Sequence, residues 1–337
     1  MPIVPQDEYF GDMNDPRWGE WDRDHWFNHS GWFNFAVPER NISGIMYLHH
    51  RQSHNVLWAG TVVWDGSGHR RNDCLFQDWR LHPAPKGIQA PGHAVFDFRL
   101  ENSLEMRTIE PLKTYEFRYD RDRFKADMRW EAFTEPQDMR GIPKEWIAWC
   151  PMHYEQFGRM TGWIEIDGER IEVNCWSGRD RSFGPHRMNK MGRGNFPWAI
   201  ANESLGFFPY IITDEDPDTD PIFGTTDRIR GGWLLKDGKI GTLVSGTRTV
   251  DRADDTMPLR EYISGKDEFG REFNAVGDVT NCLFFDGFTD NWWWWGAVDW
   301  DIDGVKAVGE TQDNCPTEIW NRVLSKRARE RQLAVRT

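Results

Sequence analysis

The chain has 337 residues, and its 41 Lys and Arg against 54 Asp and Glu give a formal net charge of −13. This length accommodates two domains, and so acidic a surface argues against nucleic acid or an anionic membrane as the main partner. A mean hydropathy of −0.72, an N-terminus without a signal-peptide pattern and five scattered cysteines predict a cytoplasmic protein without a membrane span.

Short segments rich in Val, Ile, Thr and aromatic residues recur along the chain at the spacing typical of β-sandwiches and barrels. They include residues 44–49, 56–64, 94–100, 161–166 and 170–175. The pair Asp167-Gly168 separates the last two segments and predicts a tight hairpin turn.

The end of the chain has a different pattern. Residues 316–334 have the periodicity of a helix, with Thr317 as N-cap and an apolar stripe of Ile319, Val323 and Leu324. The sequence therefore predicts an all-β protein with a short C-terminal helix.

The two halves of the chain contain similar strand-like segments, which end in Asp-Gly turns at 65–66 and 237–238. Matched segments half a chain apart are typical of a duplicated domain. Residues 135–144, polar with two prolines, have the composition of a connector. We therefore predict an N-terminal β-domain at 1–140 and a C-terminal β-domain at 145–337 that carries the helix.

Tryptophan is abundant, with 20 in the chain. These side chains could fill β-sheet cores, or they could wall a cavity for an apolar or cationic guest, or serve as platforms for sugars. In a strand the run 292–295 would place Trp292 and Trp294 on one face and its other two Trp on the opposite face, so that one pair enters a barrel. Further wall candidates are Trp176, Trp198, Tyr210 and Trp233.

Motifs for bound cofactors and metals are weak or absent. No Gly-rich dinucleotide fingerprint or phosphate loop is present, so we expect no cofactor. The acidic run at 214–220 lacks the central Gly and closing Glu of a calcium loop. His49, His50 and His54 are poor metal candidates because the first two, adjacent in a strand, point to opposite faces. We therefore expect no metal.

The densest polar segment is residues 176–187, which follows a predicted hairpin that begins at 153–156. In an extended strand Asp180 faces one side while Arg179 and Arg181 face the other. One interpretation is a buried Arg–Asp network that keeps Asp180 ionised. The other makes Asp180 a catalytic acid or base that an arginine orients.

Within this segment, residues 178–187 (GRDRSFGPHR) resemble the signature G-x-RD-x-SWG-x-R of the two-domain lipocalin-like family of carotenoid hydratases (hydroxyneurosporene synthase) and AttH-type proteins. Residues 24–32 (DHWFNHSGW) are similar to that family's PEWWY-x-x-G pattern, without its Glu. Phe183 stands where the family has Trp. His186 precedes Arg187, at a point where the family's signature has a shorter gap before its arginine. The resemblance implies two lipocalin-like antiparallel β-barrels packed side by side, with a ligand cavity near their junction.

Members of this family include cofactor-free hydratases and cyclases. Protonating an alkene, epoxide or allylic alcohol needs a neutral carboxylic acid, which apolar burial favours, and aromatic faces that stabilise a cation. Glu155 and Asp180 are the first candidates for the acid, and Glu155 shares its strand face with His153. We assign catalysis to Asp180, Glu155, His153 and Arg179, and substrate binding to Trp176, Trp198, Tyr210, Trp233, Trp292, Trp294 and His186.

These assignments favour a cofactor-independent lyase or isomerase, a hydratase, dehydratase or cyclase, that acts by acid–base chemistry on an apolar terpenoid, steroid or polyketide-like molecule. A non-catalytic lipocalin-like carrier of a hydrophobic ligand is the first alternative. A carbohydrate-active β-protein is the second, since Trp platforms and carboxylates suit sugars. The sequence leaves the substrate and the oligomeric state open, a homodimer included.

Overall fold

The structure is a computed structural model. It describes residues 3–11, 25–139, 142, 150, 152–185, 192–213, 220, 222–288 and 290–334, without the side chain of residue 324. The strands of the first half are β1 Phe27–Val37, β2 Ile42–Arg51, β3 Val56–Trp64, β4 Phe76–Pro83, β5 Phe98–Arg99, β6 Glu105–Glu110, β7 Thr114–Arg121, β8 Phe124–Ala132, β9 Gln137–Asp138, β10 Met152–Ile166 and β11 Glu169–Pro185.

The second half adds nine strands and the α-helix, while short 3-10 helices lie at Pro5–Glu8, Pro38–Arg40, Gln52–His54 and Arg71–Asp73. Its elements are β12 Gly194–Asn195, β13 Trp198–Asn202, β14 Leu205–Ile212, β15 Asp227–Lys236, β16 Lys239–Arg252, β17 Pro258–Asp267, β18 Glu272–Phe285, β19 Asn291–Ile302, β20 Val305–Pro316 and α1 Thr317–Ala334. The predicted all-β class with a C-terminal helix is confirmed.

The chain divides into two compact units. The first holds the described residues of Met1–Met139 and Ile147–Arg187, and the second those of Arg140–Trp146 and Met188–Thr337. The hairpin β10–β11 therefore lies in the first unit, whereas the domain boundary at 140–145 assigned it to the second. The reason is non-local pairing, because β11 pairs with β1 and β10 pairs with β8.

Part of the predicted connector, residues 140–141 and 143–144, lies outside the described residues. Its described part contains β9, which pairs with β10. The hairpin turn predicted between β10 and β11 is present, with Asp167 at φ 51° and Gly168 at φ 86°. Both residues thus adopt the left-handed conformation that tight hairpins require and that Asp and Gly tolerate.

The first unit is a half-barrel sheet of antiparallel strands in the order β4-β3-β2-β1-β11-β10-β8-β7-β6-β5. One face packs on an apolar core that includes Phe33, Met46, Phe117 and Trp130. We call this the core face of the half-barrel and the opposite face its outer face. Because side chains alternate along a strand, each of these strands contributes to both faces.

The second unit is a closed barrel of eight strands, β13 to β20, because β14 pairs with both β13 and β15. Its core includes Phe207, Leu234 and Trp300. The predicted stripe of α1 is buried at Ile319 and Val323, in a cluster with Trp294 and Trp320, while the side chain of Leu324 lies outside the described part. No helix in the described ranges has the length and apolar character needed to cross a membrane.

Gly158 on β10 tests this packing. A Cβ at Gly158 would lie 2.4 Å from Cε2 of Trp130 and 2.5 Å from the carbonyl oxygen of Glu131. Since a backbone atom cannot yield cheaply, we expect Gly158→Ala to lower the free energy of unfolding by about 1–3 kcal/mol in urea denaturation. Gly192→Ala is the control, because its Cβ would meet only Cγ2 of Ile212, at 3.8 Å. Equal stability of the two variants would contradict this packing.

Candidate active site

The hairpin β10–β11 aligns the polar residues of the sequence signature. His153 lies opposite Ser182 and Glu155 lies opposite Asp180. On the other side of β11, Trp32 of β1 lies opposite Asp180. Residues directly opposite in antiparallel strands share a face, and Arg179 is opposite the core residue Phe33. The polar residues therefore lie together on the outer face.

Hydrogen bonds join these side chains into one group, the acid cluster, which we define as His153, Glu155, Asp180 and Ser182. The imidazole of His153 is hydrogen-bonded through Nδ1 to Oγ of Ser182 at 2.6 Å and through Nε2 to Oε1 of Glu155 at 2.7 Å. The backbone N–H of Trp32 donates to Oδ1 of Asp180 at 3.1 Å. His153, Glu155 and Ser182 are buried, whereas Asp180 is partly exposed. Asp180 is thus the member that a ligand can reach most readily.

Burial changes the protonation of this group. It raises the pKa of Glu155 well above its usual range, opposed by the charge of Arg179. Burial and the charge of Glu155 raise the pKa of Asp180 to about 7, against the effects of His153, the Trp32 N–H and Arg179. Burial also lowers the pKa of His153. The cluster therefore favours neutral carboxylic acids beside a neutral imidazole, a set that can donate a proton and take one back.

Arg179 lies on the core face and is fully buried. Its Nη2 donates to Oε1 of Glu8 at 2.7 Å and its Nη1 donates to Oη of Tyr115 at 2.5 Å. The sequence suggested that an arginine orients Asp180. The described hydrogen bonds of Arg179 run to Glu8 and Tyr115 instead, so they do not orient Asp180. The interpretation of an Arg–Asp network that keeps Asp180 ionised is also wrong, because the strand directs the two side chains to opposite faces and Glu8 is the partner of Arg179.

Aromatic side chains flank the acid cluster on the same face. Trp32 lies opposite Tyr47 of β2, and the ring of Tyr47 stacks on Trp79 of β4 with 5.2 Å between centroids. After burial, Asp180 is the largest cause of the raised pKa of Tyr47, which indicates that the two groups are close. Sequence reasoning did not select these three aromatic residues. Strand alternation was the available signal, but their shared face depends on the register across β1 to β4.

Trp176 also lies on the outer face, four residues before Asp180 on β11. It is partly buried, contacts Phe133 with ring centroids 5.2 Å apart, and lies under the guanidinium of Arg159. Trp176 therefore lies on the strand that carries Asp180 and Ser182, as a packed residue rather than an exposed platform.

The wall candidates of the second unit fall into two groups. Trp198, Tyr210 and Trp233 are buried on the face of the barrel strands turned away from the barrel core. Trp292 and Trp294 alternate with their neighbours as predicted, and they pack with the apolar cluster at helix α1. The predicted binding residue His186 lies outside the described residues.

A small cavity lies beside the second group, within the C-terminal unit. About 10 Å³ of it is open to a molecule the size of water, which is room for roughly one water. It is lined by Arg193, Ile222, Arg252, Thr256, Phe284, Trp292, Trp294, Asp313, Cys315 and Trp320. This cavity, which Trp292 and Trp294 help to line, is therefore too small for a terpenoid-sized molecule.

Among the described residues, one group has ligand atoms close enough to hold a metal ion, namely His153, Glu155 and Asp180, within 4.8 Å of one another. Both imidazole nitrogens of His153 are engaged by Ser182 and Glu155, so an ion would have to displace a hydrogen bond. The geometry therefore fits proton transfer better than metal binding.

His49 and His50, the weaker metal candidates, point to opposite faces of the sheet, as strand alternation predicts. His49 contacts Tyr47 on the outer face, whereas His50 contacts Phe10 of the N-terminal segment. The acidic run at 214–218 lies outside the described residues.

Comparisons with known proteins agree with this fold. A family model described as a domain of unknown function (DUF7064) matches residues 15–314, and no curated protein matches. A putative AttH from Nitrosomonas europaea has a TM-score of 0.62 at 15% identity, over 93% of this chain and 98% of that one. Kievitone hydratase from Nectria haematococca has a TM-score of 0.55 at 11% identity, over 95% and 94%. CghA has a TM-score of 0.53 at 12% identity, over 87% and 89%. At these identities the likeness shows a shared fold.

The raised pKa of Asp180 can be tested without a substrate. In the folded protein Asp180 holds its proton up to about pH 7, whereas the usual pKa of an Asp carboxyl is 3.8. Its contribution to stability is therefore fully present below about pH 3.8 and is lost as the pH rises towards 7. We expect Asp180→Asn to remove this loss, so that its stability relative to wild type grows between pH 4 and 7 by up to about 1.4 kcal/mol per pH unit.

Chemical denaturation across this pH range measures the effect. Glu172→Gln is the control, because Glu172 is an exposed carboxylate on the same strand. Parallel stability curves for wild type and Asp180→Asn would contradict the raised pKa.

Proposed function

The chain belongs to the family described as a domain of unknown function (DUF7064), and from its acid cluster we propose that it is a cofactor-independent lyase or isomerase that protonates an apolar small molecule. The observation that carries this proposal is a carboxyl group, Asp180, with a pKa of about 7 and partial exposure, beside buried Glu155 and His153. A general acid is most effective when its pKa is near the working pH.

In the proposed reaction Asp180 delivers its proton to an alkene carbon, an epoxide oxygen or an allylic hydroxyl group. A protonated alkene becomes a carbocation. A protonated epoxide opens by breaking one C–O bond, which leaves a cation and a hydroxyl group, and a protonated allylic hydroxyl leaves as water to give a cation. The faces of Trp32, Tyr47 and Trp79 can stabilise this cation without attacking it. Water then adds and returns a proton to the Asp180 carboxylate, or the cation loses a proton to the same carboxylate. Either route restores the acid and needs no oxidant or reductant.

Glu155 and His153 have a supporting role in this proposal. Their hydrogen bond at 2.7 Å fixes the imidazole. Glu155 also contributes to the raised pKa of Asp180, because two neighbouring carboxyls disfavour being ionised together. Hydration, dehydration and cyclisation share this proton step. The name of one structural neighbour, kievitone hydratase, supports a search among such reactions. Another neighbour, CghA, was crystallised with Sch210972.

An apolar substrate, such as a terpenoid, steroid or polyketide-like molecule, suits the aromatic surroundings. Trp32, Tyr47 and Trp79 are at most 8% exposed, whereas sugar platforms on an open groove would be exposed. This burial favours an apolar ligand over a carbohydrate. A carrier of an apolar ligand would have the same aromatic surroundings, so a measurement of turnover is needed to distinguish an enzyme from a carrier.

Turnover by variants provides the main test. The purified full chain is incubated, in buffer without cofactors, with terpenoids, steroids and polyketides that carry an alkene or allylic alcohol, and products that gain or lose water or isomerise are followed by mass spectrometry. We expect Asp180→Asn and Glu155→Gln to lower turnover by about 10²–10⁴-fold, and the control Glu172→Gln to retain it. Undiminished turnover in both site variants would contradict these roles, and binding without conversion would favour a carrier.

The pH dependence of turnover is a separate prediction. Because Asp180 must be protonated, and its pKa is about 7, kcat/KM should fall as the pH rises through about 7. Steady-state rates between pH 5 and 9 measure this, with stability followed in parallel. A rate that rises through pH 7 would indicate a general base instead.

A further inference from the structure

The N-terminal segment places a carboxylate behind the acid cluster. Two backbone hydrogen bonds hold this segment against residues 93–95. The N–H of Val95 donates to the Glu8 carbonyl at 2.9 Å, and the N–H of Phe10 donates to the His93 carbonyl at 2.9 Å. Glu8 ends a short 3-10 helix, and its side chain is fully buried. The segment thus inserts a charge that the sequence signature does not contain.

Glu8 is bonded on all sides to groups of the core face. It accepts from Arg179 Nη2 at 2.7 Å and from the hydroxyl of Tyr115 at 2.6 Å, and the hydroxyl of Tyr154 donates to it as well. Burial raises the pKa of Glu8, but the charges of Arg179 and Arg181 and the hydrogen bonds from Tyr115 and Tyr154 together lower it below its usual value. Glu8 is therefore ionised and compensates the cation of Arg179.

Arg179 affects the pKa values of the acid cluster by its charge, from the opposite face of the strand that also carries Asp180. It is next to Asp180 in the chain, and its positive charge lowers the pKa of Glu155 and of Asp180. An uncompensated cation at this place would favour the ionised carboxylates, which cannot donate a proton. The acid cluster therefore needs a counter-charge on the core face.

We propose, on the basis of the function proposed above, that Glu8 is a positioning residue for the acid cluster: its carboxylate neutralises Arg179 across the sheet and so keeps the proton on Asp180 and Glu155. Glu8 touches no reacting atom in this scheme. It acts through Arg179, from an N-terminal segment 171 residues away in the sequence.

Other titratable groups face the same region and are unchanged in the Glu8 and Arg179 variants of the test. On the core face they are His29, His50, Tyr115, Tyr154 and Arg181. Around the acid cluster they are Tyr47, Cys150 and His153. Arg181 donates to the Ser30 carbonyl at 3.2 Å and is hydrogen-bonded to Nδ1 of His29 at 2.7 Å, and within the described part of the chain it has no direct carboxylate contact of the kind that Arg179 has.

The experiment reads the proton of Asp180 directly. Infrared spectra of the purified full chain are recorded from pH 4 to 9, and subtraction of the Asp180→Asn spectrum isolates the carbonyl band of the protonated Asp180 carboxyl. We expect a midpoint of about 7 in wild type, since burial raises this pKa. Glu8→Gln should lower the midpoint by on the order of one pH unit, because Arg179 is left uncompensated.

Two further variants separate this role from a structural one. Arg179→Met should raise the midpoint, and Glu8→Gln with Arg179→Met should return it to the wild-type value or above. Tyr154→Phe removes a hydrogen bond to Glu8 but no charge, so it should destabilise the fold and leave the midpoint in place. If Glu8→Gln does not fold, Arg179→Met against wild type still tests the pair, and a midpoint that this variant leaves unmoved would overturn the role of Glu8.

The outcomes distinguish the two proposals. A wild-type midpoint near 4 would overturn the proposed acid function itself. A wild-type midpoint near 7 that neither Glu8→Gln nor Arg179→Met moves would overturn only the role of Glu8. A lowered midpoint in Glu8→Gln that the double variant fails to restore would show a structural effect, and would also overturn it.

Discussion

The antiparallel pairing of β1 with β11 is the constraint on which the site depends. It sets Trp32 opposite Asp180 and Phe33 opposite Arg179. Because β10 pairs along the other side of β11, this strand is held on both sides. A slip of one residue would exchange the faces of every side chain, carrying arginines to the outer face and carboxyls into the apolar core. The register therefore fixes both the packing of the half-barrel and the position of the acid.

One strand thus serves two opposite electrostatic demands. On the core face, Arg179 keeps its charge because Glu8 and Tyr115 bond it and the ring of Tyr115 lies 4.5 Å from the guanidinium. On the outer face, no ion pair joins Asp180 to a cation among the described residues, and burial raises its pKa. The same exclusion of water strengthens an ion pair on one side and disfavours an isolated charge on the other. A buried ion pair adds little net stability by itself. The effect of the Glu8–Arg179 pair on the pKa values of the opposite face is therefore more important here than its effect on stability.

Local pattern was sufficient for part of this arrangement. Alternation along a strand predicted that Asp180 and Arg179 separate, that the Trp run at 292–295 divides between two faces, and that a helix follows at the end of the chain. These features depend on residues close in sequence. Glu8 could not be found in this way, because it is 171 residues from Arg179 and a single 3-10 turn has no periodicity. Tyr47 required the register of neighbouring strands, and the assignment of β10 and β11 to the first unit required pairings that cross the connector.

The C-terminal barrel shows why the position of the arginines decides protonation. There Asp313 is buried with Arg193 at 2.7 Å and Arg252 in contact, and these guanidinium groups hold its pKa well below the usual range despite burial. Glu8 is likewise buried and ionised beside Arg179. In the acid cluster Glu155 is buried and Asp180 is partly exposed, the described hydrogen bonds of both carboxyls run to His153 and the Trp32 N–H rather than to an arginine, and their pKa values are raised instead. Burial alone therefore does not make a neutral acid. In the acid cluster burial raises the pKa of Asp180 because the pleat directs the guanidinium of the adjacent Arg179 to the opposite face, where it bonds Glu8 and not Asp180.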